Sequence, residues 1–284
     1  MKRPLEIQRE AEGMTTLADL TNVFEGIASM RIAQIKNQVM QSQNFFDRLW
    51  QMYTQIRAGT PFAFGRHNWD EEVVNKELFI VITAEGGFSG DIDQKLIHWM
   101  LENYDKEKND IIVIGHHGAV QLAQRGVSFI KYFKLPAKDQ NINVSPIVKE
   151  VQNYKSTLVF YQTYVSLMVQ DVKRISLSSA VEEQGKDVTQ STEIINEETY
   201  IFEPSNFAVV DHLERSMMNI ALSQVILESK LAQYASRFRA MSAAHRKATD
   251  SVDELKFAFN RAKRAIKDER LKEIINGLRK ASHA

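Results

Sequence analysis

The fold is decided by the stretch YASRFRAMSAAHRKATDSVDELKFAFNRAKRAI, residues 234–266. Neither Pro nor Gly interrupts it, and one set of its side chains recurs every three or four residues. That set is Tyr234, Phe238, Met241, His245, Ala248, Val252, Leu255, Phe259, Ala262 and Ile266. This heptad spacing is typical of a long helix that packs along a partner helix. We therefore predict one helix from about residue 206 to residue 281.

A second helical segment, residues 14–57, supplies the partner. Its side chains keep a similar spacing, with one slip near Val39: Met14, Leu17, Thr21, Phe24, Ala28, Arg31, Ile35, Ser42, Phe46, Leu49, Tyr53 and Ile56. The final helix would be roughly 110 Å long if continuous, which is too long to be buried in a globule of this size. We expect the two terminal helices to pair antiparallel.

The segment between the helices has a different pattern. Apolar runs at 78–83, 111–114, 128–133, 158–165 and 166–177 predict strands, and 200–205 predicts a last one. Helical stretches at 92–104, 121–125 and 146–154 separate several of them, and 178–199 is a polar loop. Alternating strands and helices favour a mostly parallel sheet. The predicted fold class is α/β: a long antiparallel coiled coil of the N- and C-terminal helices with an inserted Rossmann-like α/β domain. Its parts are the N-terminal helix 1–58, the α/β domain 75–205 and the C-terminal helix 206–284.

Composition excludes several classes of protein. Lys plus Arg and Asp plus Glu both number 36, so the chain lacks the basic excess of a dedicated nucleic-acid binder. It has no cysteine for disulfides or thiolate metal sites, and no apolar run long enough to span a membrane. Basic residues do outnumber acidic ones at 261–280, which indicates either a solvated helix surface or a binding surface.

The best candidate for a ligand loop is TAEGGFSGDID, residues 83–93, between a strand and a helix. Such loops bind phosphates in many α/β proteins. Its glycine spacing matches neither common phosphate motif, however, and the carboxylates of Glu85, Asp91 and Asp93 would repel a phosphate. We favour a tight turn, with the carboxylates as partners of the helix N-terminus rather than cation ligands.

The sequence evidence for other catalytic or metal sites is equally weak. His116 and His117 follow the second strand and could start a zinc site, but no third ligand of suitable spacing stands nearby. We favour a turn role for both histidines. The sequence offers no recognisable nucleophile or metalloprotease motif. Taken alone, the sequence therefore shows no catalytic constellation, and it predicts no cofactor.

Three stretches resemble the gamma subunit of F-type ATP synthases. The loop at 83–93 is similar to that family's T-S-D-R-G-L-C-G-G-L-N segment, with Gly87 and Gly90 on its glycines. The gamma subunits of an alternate F-type subfamily have a G-F-C-G-D-F-N variant, which this loop resembles more closely at Asp91. The stretch YIFEPS at 200–205 resembles the strand before the family's final helix. From residue 235 to residue 277 the chain aligns to the family's A-A-R-M-x-A-M, N-R-A and L-x-E-I-x-x-G pattern.

The resemblance implies a mechanical role. In the family, a shaft turns inside a ring of alpha and beta subunits, and its foot sits with the epsilon subunit on the membrane c-ring. Phe24 falls where the family has a seam methionine facing the beta subunits, and Arg237 falls on its shaft arginine. Arg264 and Asp268 replace a Gln and a Thr that contact a beta-subunit loop. The partner-contact candidates are Phe24, Arg31, Gly87, Gly90, Arg237, Met241, Arg261, Arg264 and Asp268.

This chain also departs from the family in its first helix, where the family is rich in Lys. Here Thr15, Ala18, Asp19, Asn22 and Glu25 stand at or near those positions. The resemblance implies a peripheral protein on the cytoplasmic face of a bacterial membrane. Two alternatives remain: a coiled-coil adaptor with an α/β interaction module, and a small-molecule-binding enzyme with helical extensions.

Overall fold

The computed structural model describes residues 3–56, 74–135, 142–178, 181, 201 and 203–281. One long helix precedes the sheet along the chain and another follows it. The first, α1, is Pro4–Ile56, and the last, α5, is Asn206–Ala281. The α5 prediction is confirmed, and α1 begins ten residues before residue 14, where the predicted 3-or-4 spacing starts. Pro4 occupies the first helical position and the Arg3 N–H donates to Glu6 Oε2 at 3.1 Å. These are the marks of a capped helix start, which fixes the beginning of α1.

The predicted sheet is confirmed as mostly parallel. Its strands are β1 Val74–Ile82, β2 Asn109–Ile114, β3 Lys131–Phe133, β4 Tyr154–Tyr164 and β5 Gln170–Ser176, in the order β3-β2-β1-β4-β5. Only β5 runs antiparallel to its neighbour among these five strands. The helices between strands are α2 Ile92–Glu102, α3 His116–Gln124 and α4 Ser145–Gln152.

The strand predicted at 200–205 is wrong for the residues that can be described there. Ile201 and residues 203–205 lie outside any strand, and the Ile201 side chain is 93% exposed. The apolar pattern alone therefore did not predict whether this segment pairs with the sheet. Most of the predicted polar loop at 178–199 falls outside the described residues.

Residues divide into two compact units by their contacts, Ala28–Arg237 (the sheet unit) and Met1–Ile27 with Phe238–Ala284 (the helix-pair unit). In the sheet unit, β1 alternates between two cores because successive strand residues point to opposite faces. Leu78, Ile80 and Ile82 join the core that includes Phe46 of α1 and residues of α5 between 210 and 226. Phe79 and Val81 join the other core, beneath α2 and α3.

In the helix-pair unit, the start of α1 packs antiparallel to the end of α5. The Ala18 carbonyl and His245 Nδ1 are 2.9 Å apart, whereas Met14, earlier in α1, shares a groove with Leu255, later in α5. The α5 seam is confirmed at Met241, Ala248 and Val252, which are buried. Beyond Ala262 every described α5 side chain through residue 279 is exposed, so the seam prediction is wrong at Ile266.

The α1 seam prediction is wrong at two positions in this unit. Leu17 is 48% exposed and Phe24 is 37% exposed, while Ala18 and Thr21 are buried. Small side chains face α5 here because they let the two helix backbones approach closely. Separately, none of the helices among the described residues is long and apolar enough to cross a membrane.

Candidate functional site

The glycine loop, residues 83–93, follows β1 and leads into α2 in the sheet unit. Two of its residues have left-handed backbones, Phe88 at φ 69° and Gly90 at φ 68°. Glycine adopts this conformation freely, whereas a side chain there costs about 1 kcal/mol. The loop therefore holds a defined, partly strained shape that requires contacts from the rest of the unit.

Those contacts come from α5. Ser236 Oγ donates to the Ser89 carbonyl at 2.6 Å. The Arg237 guanidinium donates from Nε to the Gly87 carbonyl at 3.1 Å and from Nη2 to the Gly86 carbonyl at 3.2 Å. A planar guanidinium holds two acceptors in one fixed geometry, whereas the three rotatable donors of a lysine ammonium do not. The loop thus presents carbonyl oxygens to α5 and acts as a clamp on that helix.

A buried polar network joins the same loop to α5 from beneath. The Asp93 carboxylate accepts the Ala84 N–H at 3.3 Å and the Gln162 Nε2–H of β4 at 2.6 Å. Gln162 Oε1 in turn accepts from the Ser229 hydroxyl and, at 3.2 Å, from Gln233 Nε2. All these side chains except that of Ala84 are polar, and each is buried. A fully satisfied network of this kind specifies one register of α5 against the sheet.

His117 at the start of α3 completes the network. Its Nδ1 lies 3.0 Å from Asp93 Oδ2. This hydrogen bond raises the pKa of His117, while partial burial opposes the shift. Among the charges facing the ring, Glu85 raises the pKa and Arg237 lowers it.

The remaining carboxylates of the loop have separate partners. Glu85 accepts the backbone N–H groups of His116 and Leu135, at 3.1 and 3.2 Å. Asp91 pairs with Lys95 at 2.9 Å and makes no side-chain cap to α2. Asp91 does occupy the N-cap position of α2, as predicted, but the predicted side-chain cap is wrong because its carboxylate pairs with Lys95 instead.

Two glycines after β2 let that strand end approach the loop. A Cβ on Gly115, whose φ is 102°, would lie 2.0 Å from the Thr83 carbonyl oxygen. A Cβ on Gly118 would lie 2.7 Å from Thr83 Oγ1, which accepts the Gly118 N–H at 2.9 Å. The two histidines are the first residues of α3 rather than part of a turn, so the turn role predicted for them is wrong.

The structure brings together only some of the predicted site residues. Gly87, Gly90 and Arg237 meet at the clamp. Arg31 lies on α1 in the sheet unit and donates to Gln34 at 3.3 Å. The others lie in the helix-pair unit, where Met241 is buried and four are exposed: Phe24, Arg261, Arg264 and Asp268.

Sequence reasoning missed the network around Gln162. The available signal was a glutamine in the middle of the apolar run at 158–165. A buried amide needs hydrogen-bond partners. The sequence does not say that those partners lie on α5.

The chain is thus a helix–sheet–helix protein. Its polar site, formed by the glycine loop and Gln162, binds α5 of the same chain. A family model described as ATP synthase matches residues 5–279, and the chain belongs to that family. The similar curated proteins are ATP synthase gamma chains. That of Chlorobaculum parvum is 24% identical over 293 residues and that of Halothermothrix orenii 23% over 295, covering 96% and 98% of each chain.

Solved structures share the fold. A chain of the Euglena gracilis mitochondrial ATP synthase assembly of OSCP, F1 and c-ring superposes with a TM-score of 0.65 at 17% identity, covering 98% of this chain and 95% of that one. A chain from the rotor of the same enzyme gives 0.62 at 14% identity, covering 93% and 98%. The family resemblance drawn from the glycine loop and the terminal helix is therefore confirmed.

Proposed function

We infer that this protein is the central-stalk rotor shaft, a gamma-like subunit, of an F-type ATP synthase. It couples ATP synthesis or hydrolysis in the catalytic hexamer to proton or sodium transport through the membrane ring. The subunit is mechanical and catalyses no reaction itself. The observation that carries this proposal is the family match over residues 5–279, together with the two long helices that precede and follow the sheet along the chain.

The clamp gives this role a physical basis within the sheet unit. A shaft transmits torque only if its helix cannot rotate or slide against the domain that holds it. The guanidinium of Arg237, the hydroxyl of Ser236 and the Gln162 amide hold α5 at three separate points. Each is a directional hydrogen bond, so rotation of α5 would break all three together.

We propose the partners that the family implies. They are the alpha and beta subunits of the hexamer, the epsilon subunit and the membrane c-ring. The protein belongs to the peripheral part of a membrane-bound complex, and we propose the cytoplasmic face of a bacterial membrane as its location. We also propose the functional division 1–58, 75–205 and 206–284, which separates shaft helices from the foot.

Partner contacts of individual residues are part of the same proposal. Exposure supports Phe24, Arg261, Arg264 and Asp268 as surface contacts. For the others the contacts described above lie within the chain, and partner contact stays a prediction: Arg31, Gly87, Gly90, Arg237 and Met241.

Native mass spectrometry of the complex purified from its source tests the function. We expect this chain in one copy with a hexamer of nucleotide-binding subunits and a small epsilon-like subunit. An isolated monomer or dimer would instead favour the coiled-coil adaptor. A rise in melting temperature of the isolated chain with small ligands would favour an enzyme, because a ligand that binds the folded state stabilises it by mass action.

A further inference from the structure

Three polar side chains of the sheet unit form a hydrogen-bonded series that leads from solvent to α5, and we name it the relay. Its outer member is His117, whose side chain is 33% exposed, and the next is Asp93, whose side chain is 4% exposed. The third member, Gln162, is fully buried. The relay ends on two buried side chains of α5, Ser229 and Gln233. A ring that solvent can reach is thus connected to the buried face of that helix.

The Asp93 carboxylate, in the middle of the relay, faces three nitrogen atoms. The Ala84 N–H, Gln162 Nε2 and His117 Nδ1 lie 3.3, 2.6 and 3.0 Å from its oxygens. All three can donate, which suits an ionised carboxylate because that group only accepts hydrogen bonds. A buried charge is costly unless an opposite charge lies beside it. Protonated His117 supplies that opposite charge in direct contact with the carboxylate.

Other charged and titratable groups surround the His117 ring. The Glu85 carboxylate of the glycine loop favours the charged ring, and the Arg237 guanidinium of α5 opposes it. Tyr132 of β3 donates to Glu85, and the exposed neighbour His116 gives its backbone N–H to the same carboxylate. Arginine stays charged at every pH at which proteins fold, whereas histidine changes its charge between about pH 5 and pH 8. Within the relay, the group that titrates in this range is therefore the His117 ring.

We propose that the charge on His117 sets how firmly α5 is held against the sheet, so that the relay acts as a pH-sensitive switch. While the ring is protonated, its hydrogen bond to Asp93 is charge-assisted and keeps the carboxylate in place to accept from Gln162. When the ring loses its proton, its Nδ1–H tautomer still donates, but the buried carboxylate has lost its counter-charge and moves towards water. Gln162 then loses the partner that orients its amide towards α5.

The hold on α5 therefore tightens as the pH falls and loosens as the pH rises. The raised pKa of His117 has the same sign, since it means that the folded state favours the protonated ring. This switch goes beyond the proposed function, because it is a property of the folded chain by itself.

Hydrogen–deuterium exchange of the full chain at about pH 5.5 and about pH 8, read by mass spectrometry, tests the switch. The observable is the protection of the α5 amides at 229–237, corrected for the intrinsic effect of pH on exchange. We expect roughly fivefold stronger protection at the lower pH, because a hydrogen bond from a charged donor is about twice as strong as a neutral one. His117→Gln keeps a donor without a charge, so its protection should be low at both pH values. His117→Lys stays charged, so its protection should be high at both.

Two further variants separate the relay from a general effect of pH. His98→Gln removes an exposed histidine that pairs with Glu102 at 3.4 Å, so this variant should keep the pH dependence of the parent. Gln162→Leu interrupts the relay, so its α5 protection should no longer change with pH although NMR still shows His117 titrating. The two His117 variants decide the matter if Gln162→Leu does not fold by circular dichroism.

Protection of 229–237 that is independent of pH in the parent would overturn the proposal. The same holds for a parent-like pH dependence in His117→Gln, or in a folded Gln162→Leu variant. None of these results would affect the proposed function, which native mass spectrometry of the complex tests separately.

Discussion

Replacing Gln162 with leucine should loosen α5 from the sheet. Gln162 is fully buried in β4, and its amide connects the Asp93 carboxylate to Ser229 and Gln233. Leucine has a similar size but neither donor nor acceptor. The substitution leaves the carboxylate with one fewer donor, and leaves a buried hydroxyl and a buried amide short of an acceptor.

The size of the effect follows from these bonds. A hydrogen bond to a charged group contributes about 1.5–3 kcal/mol, and each neutral one about 0.5–1.5 kcal/mol. The apolar leucine recovers part of this loss by burial. We expect the free energy of unfolding to fall by about 3–4 kcal/mol, which lowers a urea midpoint by roughly 1 M or more.

Urea denaturation followed by circular dichroism measures this change, and Thr157→Val on the same strand is the matched control. Thr157 is also buried, but its hydroxyl finds no hydrogen-bond partner within the part of the chain that can be described. Valine should therefore cost little or stabilise slightly. Equal losses for the two variants, or a loss below about 1 kcal/mol for Gln162→Leu, would refute the argument that the network holds α5.

Three further predictions concern the turns and the titrating groups. Gly115→Ala should lower the free energy of unfolding, measured by urea denaturation, by more than about 3 kcal/mol, because its Cβ would overlap a backbone carbonyl at 2.0 Å. The control Gly126→Ala, in open space at φ 69°, should lower it by only about 1 kcal/mol. Because Asp93 raises the pKa of His117 above 6.5, the His117–Asp93 pair should stabilise the fold fully below that pH, and this stabilisation should be lost as the pH rises through the folded-state pKa. An NMR titration midpoint of the His117 ring at or below 6.5 would contradict this. Burial and a hydrogen bond raise the pKa of Tyr154 to about 12, so ultraviolet titration should show a step near that pH, and Tyr154→Phe should remove it.

Much of the architecture was predictable because its signals are periodic. The heptad spacing of α5 and the alternation of apolar runs with helical stretches gave the helices, the strands and the mostly parallel sheet. The face of α1 was harder to predict because that helix carries two adjacent rows. Hydrophobicity favours Leu17 and Phe24, but close packing of backbones favours Ala18 and Thr21, and only the folded structure decides between them.

The site was less accessible from the sequence. A glutamine in a buried strand indicates that its amide has hydrogen-bond partners. One of them, Ser229, lies 67 residues away on another element. Arg237 was singled out by resemblance alone, and its hold on the carbonyls of Gly86 and Gly87 depends on backbone shape. Long-range pairing of this kind leaves no local pattern in one sequence.

The core that includes Phe46 and Tyr53 has a consequence for biosynthesis. It also includes Val210, Met217 and Leu222, so the end of α1 and the start of α5 share it. At about 5–20 residues per second, the ribosome completes β1 to β5 several seconds before α5 has fully emerged. During that interval the sheet presents an open apolar face. We expect newly made chain to depend on chaperones until translation ends, and truncations before residue 210 to aggregate.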